Sequence, residues 1–137
     1  MENKNDDNDY LLAKRNAKEL YTKIEKVWCP ALNDFIVFNC AGFQHLLRKR
    51  GRKRQENERK RRFGLLASAK DVIENPHTHM RYSPKLSIRH IEHHNKKIAK
   101  ESIVDFWVLS QNQFDGSTIK VIVRKFGHGR KHFFSIY

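Results

Sequence analysis

Residues 103–137 read IVDFWVLSQNQFDGSTIKVIVRKFGHGRKHFFSIY, and they hold three segments rich in β-branched and aromatic residues. The segments are IVDFWVLSQ, TIKVIVRKF and KHFFSIY. Residues 112–116 and 127–129 separate them with the Gly, Asn and Asp that tight turns favour. This stretch therefore predicts three antiparallel strands joined in sequence order by two hairpin turns.

The residues upstream have a helical period instead. Residues 8–28, AGFQHLLRKR at 41–50 and a segment from about Gln55 to Glu74 each place apolar residues at i, i+3 and i+4 steps. The third helix is expected to end at Asn75-Pro76, since a residue before proline avoids the helical region. Between the first two helices, VWCPAL and FIVFNC flank Asn33-Asp34 and predict a short hairpin.

The segment before residue 103 is less regular. THMRYS, residues 78–83, predicts one further strand, whereas residues 85–101 are polar and His-rich and predict a long loop or a loose helix. A chain whose helices precede an antiparallel sheet in sequence predicts an α+β fold. In this prediction, N-terminal helices pack on a C-terminal four-stranded antiparallel sheet.

The length of 137 residues allows one ordinary core. We expect residues 1–9 to be disordered and residues 10–137 to form a single domain. The sequence has no run of about 18 apolar residues, so we expect no membrane span. The polar start MENKNDDNDY has no apolar segment of a signal peptide, so we expect action in the cytoplasm. A toxin delivered into another cell by a dedicated machine would not need such a peptide.

Charge is the strongest compositional signal. The net charge is +13, and residues 48–62, RKRGRKRQENERKRR, contain ten cations and two glutamates, a local +8. Two carboxylates cannot neutralise ten cations, and unbalanced charge of this kind favours a polyanion partner, here RNA. The alternative is a loop and a helix face whose charges are exposed to water and bind no partner. A peripheral membrane protein ranks last, because no basic helix has a clean apolar face.

The cations predicted to contact RNA lie in this run and in the last strands. They are Arg48, Lys49, Arg50, Arg52, Lys53, Arg54, Lys120, Lys125 and Lys131.

The cysteines and histidines do not predict a cofactor. Cys29 and Cys40 form no CxxC pair, and two buried reduced thiols are favoured over a cross-strand disulfide. His90 and His94 would share a helix face, but no adjacent Glu or Cys completes a zinc site, so surface histidines are favoured. No pair of carboxylates has metal-binding spacing, which argues against a two-metal nuclease. We therefore predict no metal and no cofactor.

His45 differs from the other histidines. It lies in GFQHLLRK, where it can share a helix face with Arg48 and Lys49. The functional interpretation is a general acid or base beside a cation that binds phosphate. The alternative is a half-buried packing residue.

The last two strands would complete a basic concave site beside His45. Strict alternation places Lys131, Ser135 and Tyr137 around Phe133 on one face of the last strand. The strand before it presents Lys120, Ile122 and Arg124 on one face. Ordinary solvent-exposed hairpin faces remain the alternative.

The order of motifs resembles the barnase–EndoU–colicin–RelE-like (BECR) ribonuclease superfamily, closest to its phage and mobile-element branch. The resemblance covers about residues 25–137 and consists of four weak motifs: GFQHLL, the basic run, RRFGLLASAKDVIENP, and the strands ending IKVIVRK and KHFFSIY. It implies metal-independent ribonuclease activity, often in a toxin paired with a neutralising antitoxin or immunity protein. The long His-rich connection at residues 82–103 and the very basic run depart from the family pattern.

The resemblance also implies site residues. The family's helix histidine matches His45, and the basic position that opens the RxxLL stretch matches Arg62. The cation of the penultimate strand matches Arg124, or Lys120 earlier in that strand. The hydroxyl of the last strand matches Ser135.

RNA cleavage without metal needs a base for the 2′-hydroxyl, an acid for the leaving oxygen and cations on the phosphate. We expect His45 to transfer protons, Arg62 and Arg124 to hold the phosphate, and Ser135 to orient it. The second proton-transfer group is open between His132 and a lysine. The rival hypothesis is a non-catalytic RNA-binding module, for instance one that binds tRNA, which would have no need of an imidazole at position 45.

Overall fold

The computed structural model describes residues 4–49 and 52–137 as an α+β fold in which three helices accompany a mixed six-stranded sheet. The helices are α1 (Lys4–Ile24), α2 (Cys40–Leu47) and α3 (Glu56–Glu74). The strands are β1 (Lys26–Cys29), β2 (Asp34–Val37), β3 (Arg48–Lys49), β4 (Arg52–Lys53), β5 (His79–His93), β6 (Lys96–Asn112), β7 (Thr118–Phe126) and β8 (His132–Ile136).

The main sheet has the strand order β1-β2-β8-β7-β6-β5. The last four strands pair antiparallel in sequence order, which confirms the order predicted for the last three, and the turns between those three contain Gly116 (φ 87°) and Gly127 (φ 48°). The prediction of a four-stranded antiparallel sheet nevertheless omits two strands, because the sheet has six. The β1–β2 hairpin joins the sheet through a parallel pairing of β2 with β8, at Val37 and His132. Periodicity could not predict this pairing, because it joins segments almost a hundred residues apart.

The N-terminal helix is shifted from its predicted range. α1 ends at Ile24, and Glu25 has a left-handed backbone (φ 54°), so Trp28 lies in β1 and not on the helix. The predicted disordered terminus, residues 1–9, overlaps α1 at residues 4–9, and residues 1–3 lie outside the described residues. Pro30 begins the turn that follows the edge strand β1, which avoids a lost ladder hydrogen bond.

The prediction of a loop or loose helix for residues 85–101 is wrong. β5 and β6 form one long hairpin with 15 residue pairs, from His79↔Ser110 to His93↔Lys96. His94 (φ 49°) and Asn95 (φ 61°) form its two-residue turn, and both have the positive φ that a type I′ turn requires. The strands could not be read from hydrophobic alternation because much of this hairpin is solvent-exposed.

The core lies between the helices and one face of the sheet. The strands contribute Val27, Ile36, Leu109, Val121, Val123, Phe133 and Ile136, and the helices contribute Tyr21, Leu46, Leu66, Val72 and Ile73, all buried. In β7 the buried Val121 and Val123 alternate with Lys120, Ile122 and Arg124, as predicted. No helix in the described part of the chain has both the length and the apolar character needed to cross a membrane.

Candidate functional site

Helix α2 carries His45 and is held close to strand β8. Asn39 caps the helix, with its Oδ1 accepting a hydrogen bond of 3.2 Å from the Gly42 backbone. A Cβ at Gly42 would collide with the Phe133 carbonyl and the Tyr21 hydroxyl, so only glycine permits this approach. Close packing of α2 on β8 therefore fixes the position of His45.

The His45 side chain is half-buried and packs on an aromatic ring. Its centroid lies 4.0 Å from that of Phe134. Nδ1 of His45 is buried and has no hydrogen-bond partner among the described residues. A buried polar atom without a partner is uncommon, and a role in catalysis is one of the explanations that such atoms have in proteins.

Cations surround this imidazole. Burial is the largest cause that lowers the pKa of His45, to about 4, and the charges of Arg54, Arg62, Arg124 and Lys49 lower it further. The imidazole is therefore neutral at pH 7 in the free protein. A neutral imidazole can accept a proton, and the surrounding positive charge suits an anionic ligand.

The guanidinium of Arg62 is buried and braces the C-terminal strand. Its Nη1 donates to the Ser135 hydroxyl and to the Ile136 carbonyl, both at 2.8 Å, and its Nε donates to Glu58 at 2.9 Å. β2 pairs with β8 at one position only, so the Ile136 carbonyl would otherwise lack a strand partner. Arg62 and Ser135 are 8% and 2% exposed, which makes both positioning residues and not open phosphate ligands.

A β-bulge in β8 aims Phe134 at the site. Ile122 of β7 pairs with Ser135 and the next residue, Val123, with Phe133, so Phe134 is the extra residue of the bulge. Bulges of this kind redirect side chains and are common beside active sites. The strict alternation predicted for residues 131–137 is wrong because it omits this bulge, and Phe133 lies in the core.

Arg124 is held between aromatic rings beside the bulge. Its guanidinium carbon lies 4.0 Å from the ring centroid of Phe134 and 4.4 Å from that of Phe126. Its Nε donates to Nε2 of His132 at 3.0 Å. Burial and the charge of Arg124 lower the pKa of His132. Because Nε2 of His132 already accepts this hydrogen bond, His132 fits the role of orienting Arg124 better than that of the second proton donor.

The start of the basic run forms a small hairpin. The predicted helix over residues 41–50 ends earlier, at Leu47, so the prediction that Arg48 and Lys49 share a helix face with His45 is wrong. Arg48 and Lys49 of β3 pair with Lys53 and Arg52 of β4, and these four residues are exposed. Arg54, next in the chain, donates from Nε to the His45 carbonyl at 3.0 Å. This contact ties the hairpin to the end of α2, where cations also complement the helix dipole.

An open basic cavity of about 750 Å³ lies between this hairpin and the start of α3. It is lined by Lys49, Arg52, Lys53, Arg54, Gln55 and Glu58. Two of these cations, Lys49 and Arg54, also act on the pKa of His45. The predicted RNA contact Arg50 lies outside the described residues.

The three predicted strand lysines differ in environment. Lys120 is exposed, with Nζ 5.8 Å from the Tyr137 ring centroid. Lys125 is half-buried. Lys131 forms an ion pair of 2.8 Å with Asp34 and is 16% exposed in its side chain, so its charge is already balanced.

The cysteines and the other histidines do not form a second site among the described side chains. Cys29 is buried and Cys40 exposed, and both are free thiols, so the prediction of two buried thiols is wrong for Cys40. Residues 90 and 94 lie on a β-hairpin and not on one helix face. Among the side chains that the structure describes, no group of three metal-ligating residues is close enough to hold an ion.

The structure thus brings the predicted catalytic residues Arg62 and Arg124 close enough to His45 for their charges to lower its pKa. The fourth predicted residue, Ser135, is joined to this group through its hydrogen bond with Arg62. Phe134 and the ring contacts of Arg124 were not predicted as site features, and His132 was predicted only as a candidate for the second proton-transfer group. No protein-family model matches the chain, and searches of curated proteins and of solved structures gave no match either.

Proposed function

We propose that the chain is a metal-independent endoribonuclease of the BECR superfamily, which acts as a toxin in the cytoplasm and is held in check by an antitoxin or immunity protein. In the reaction, the 2′-hydroxyl loses its proton to a base and its oxygen bonds to the adjacent phosphorus. The bond from phosphorus to the 5′-oxygen breaks, and an acid protonates that oxygen. The products are a 2′,3′-cyclic phosphate and a 5′-hydroxyl.

The observation that supports this proposal most is the environment of His45. A buried nitrogen without a partner among the described residues, on an imidazole that is neutral at pH 7, faces cations from three elements. A neutral imidazole acts as the base for the 2′-hydroxyl. After it takes the proton, the developing charge on the phosphate oxygens stabilises the imidazolium.

The cations divide into two roles. Lys49 belongs to the open cavity wall, and Arg54 and Arg124 are partly exposed, so these three stabilise the anionic phosphate. Fixed donors of this kind contribute roughly 10²–10³-fold to a rate. Arg62 and Ser135 hold β8, and thereby Phe134, in place beneath His45. The second proton-transfer group is not assigned to a single residue. Lys49 is the lysine that lines the cavity and also lowers the pKa of His45.

One observation favours the rival function, a non-catalytic RNA-binding module. The ring of His45 packs against Phe134 at 4.0 Å, a contact that a purely structural histidine would also make. In that case the basic cavity would hold an RNA phosphate without cutting the chain.

The test is incubation of the purified protein with end-labelled tRNA and total RNA in EDTA. We expect fragments that end in a 2′,3′-cyclic phosphate. The same RNA with 2′-O-methyl groups is the control and should bind without being cut, because it lacks the nucleophile. Binding without cleavage of any unmodified RNA would favour the binding module.

A further inference from the structure

The β5–β6 hairpin extends well beyond the rest of the sheet. β7 pairs with β6 only as far as Phe126↔Val104. From Leu86↔Ile103 to His93↔Lys96, eight residue pairs of β5 and β6 have no third strand beside them among the described residues. We call residues 86–103 the ribbon. At about 3.3 Å per residue it projects roughly 26 Å.

The two faces of the ribbon differ in charge. Side chains two residues apart share a face, so Lys96 and Lys100 lie on the same face as Val104 and its partner Lys85. Glu92, its partner Lys97 and Glu101 lie on the opposite face by the same register, so that face has no excess of positive charge. Among the described residues of β5, β6 and β7 on the lysine face, none is acidic.

The lysine face is continuous with the candidate site. Nζ of Lys85 lies 5.2 Å from the ring centroid of Phe106. The ring of Phe106 lies 6.0 Å from that of Phe134, which in turn packs on His45. A row of rings and cations therefore leads from His45 across the sheet to the base of the ribbon.

A two-stranded ribbon of this length is marginal in water without a partner. Its other face exposes Leu86, Ile88 and Ile103 at 67%, 61% and 59%. Of the two faces, only the lysine face has both an excess of positive charge and a connection to the site.

We propose that the lysine face of the ribbon binds the phosphate backbone of the RNA strand that runs out of the catalytic site. This rests on the proposed function and extends it: the substrate is an RNA several nucleotides longer than the step that is cut. The ribbon supplies affinity and not chemistry, so it lowers KM for long RNA and leaves kcat for a minimal substrate unchanged.

The first experiment removes charge only. Lys85→Gln/Lys96→Gln/Lys100→Gln is compared with Lys14→Gln/Lys18→Gln/Lys23→Gln on α1, since each triple variant lowers the net charge from +13 to +10 (13 − 3). For a 20-nucleotide 2′-O-methyl RNA, the ribbon variant should reduce the slope of log K against log salt by about 2, at roughly 0.7 per lost phosphate contact. The α1 variant should leave the slope close to wild type. Equal slopes for the two variants would overturn the proposal.

The second experiment removes the ribbon. Residues 86–103 are replaced by Asn-Gly, which joins Lys85 to Val104 through a two-residue hairpin turn. We expect at least a tenfold higher KM for the long RNA and an unchanged kcat for a short oligonucleotide. An unchanged KM for long RNA would overturn the proposal and assign the ribbon, through Leu86, Ile88 and Ile103, to a protein partner.

The two proposals fail in different ways. Weaker binding of uncleavable RNA by the ribbon variants, with no cleavage by wild type, would retain the ribbon and reject the ribonuclease. If wild type cleaves short RNA but the ribbon variants bind long RNA as well as wild type does, the ribonuclease would be retained and the ribbon proposal rejected.

Discussion

Arg62 donates a hydrogen bond of 2.8 Å from Nη1 to the Ser135 hydroxyl across 73 positions of sequence. The same nitrogen donates to the Ile136 carbonyl, at the edge of β8 that β2 leaves unpaired. One buried guanidinium therefore joins α3 to the C-terminal strand and satisfies a buried carbonyl. This places Arg62 behind the site, where it supports Phe134 and His45.

This geometry predicts a large effect on stability. Arg62→Ala leaves a buried carbonyl and hydroxyl without partners and should lower the free energy of unfolding by about 3 kcal/mol or more, against about 1 kcal/mol for Ser135→Ala. In denaturant titrations, the double variant should show a coupling energy of at least about 0.5 kcal/mol. The exposed neighbour Arg61→Ala should stay within about 0.5 kcal/mol of wild type. Additive single effects at Arg62 and Ser135 would argue against the contact.

The approach of α2 to β8 predicts opposite effects for two glycines. Gly42→Ala forces a methyl group against Phe133 and Tyr21 and should cost about 1–3 kcal/mol, with a loss of activity because His45 shifts. Gly64→Ala in α3 meets no atom within 4 Å and should stabilise by about 0.5–1 kcal/mol. Thermal melts of the two variants provide the comparison. A neutral Gly42→Ala would mean that α2 is not held this closely.

The lowered pKa of His45 predicts the pH dependence of cleavage. The base must be unprotonated, and its unprotonated fraction rises with pH through a pKa of about 4 in the free protein. kcat/KM should therefore rise from acid pH and reach its plateau above about pH 5. Bound RNA phosphate stabilises the imidazolium, so the acid limb of kcat should lie at higher pH than that of kcat/KM. The exposed His128→Gln should keep both limbs. Limbs of kcat and kcat/KM at the same pH would show that phosphate does not act on His45.

The basic cavity predicts loss of binding for RNA of any length. Lys49→Gln/Arg52→Gln/Lys53→Gln should reduce the salt slope by about 2 and weaken all RNA sequences alike. Short oligonucleotides should be affected as much as long ones, unlike the result expected for the ribbon. The α1 triple variant at residues 14, 18 and 23 again matches the change in charge. A normal slope would mean that RNA does not lie over this hairpin.

Local patterns predicted much of the fold. Strands β6 to β8 are rich in β-branched and aromatic residues with turn residues between them, β7 alternates, and α3 ends where Asn75-Pro76 requires it. The ribbon was missed because its polar strands bury little, so they carry no hydrophobic alternation. The parallel β2–β8 contact was missed because nothing local in either strand specifies a partner so distant.

The site was predicted in part. His45 stands out as an imidazole between apolar and basic residues, and the resemblance supplied Arg62, Arg124 and Ser135. Sequence could not show that Arg62 is buried, since its neighbours in ENERKRR are typical of a solvated helix face. The role of Phe134 depends on a bulge, which a period of two cannot represent.

The most direct test compares wild type with His45→Ala on the same RNA in EDTA, with affinity for 2′-O-methyl RNA measured separately. We predict that wild type yields 2′,3′-cyclic phosphate ends and that the variant cuts roughly 10²–10⁴-fold more slowly at nearly equal affinity, because the imidazole acts mainly in the transition state. Equal cleavage rates for the two proteins would contradict the assignment of His45 as the proton-transfer group and leave it a packing residue on Phe134.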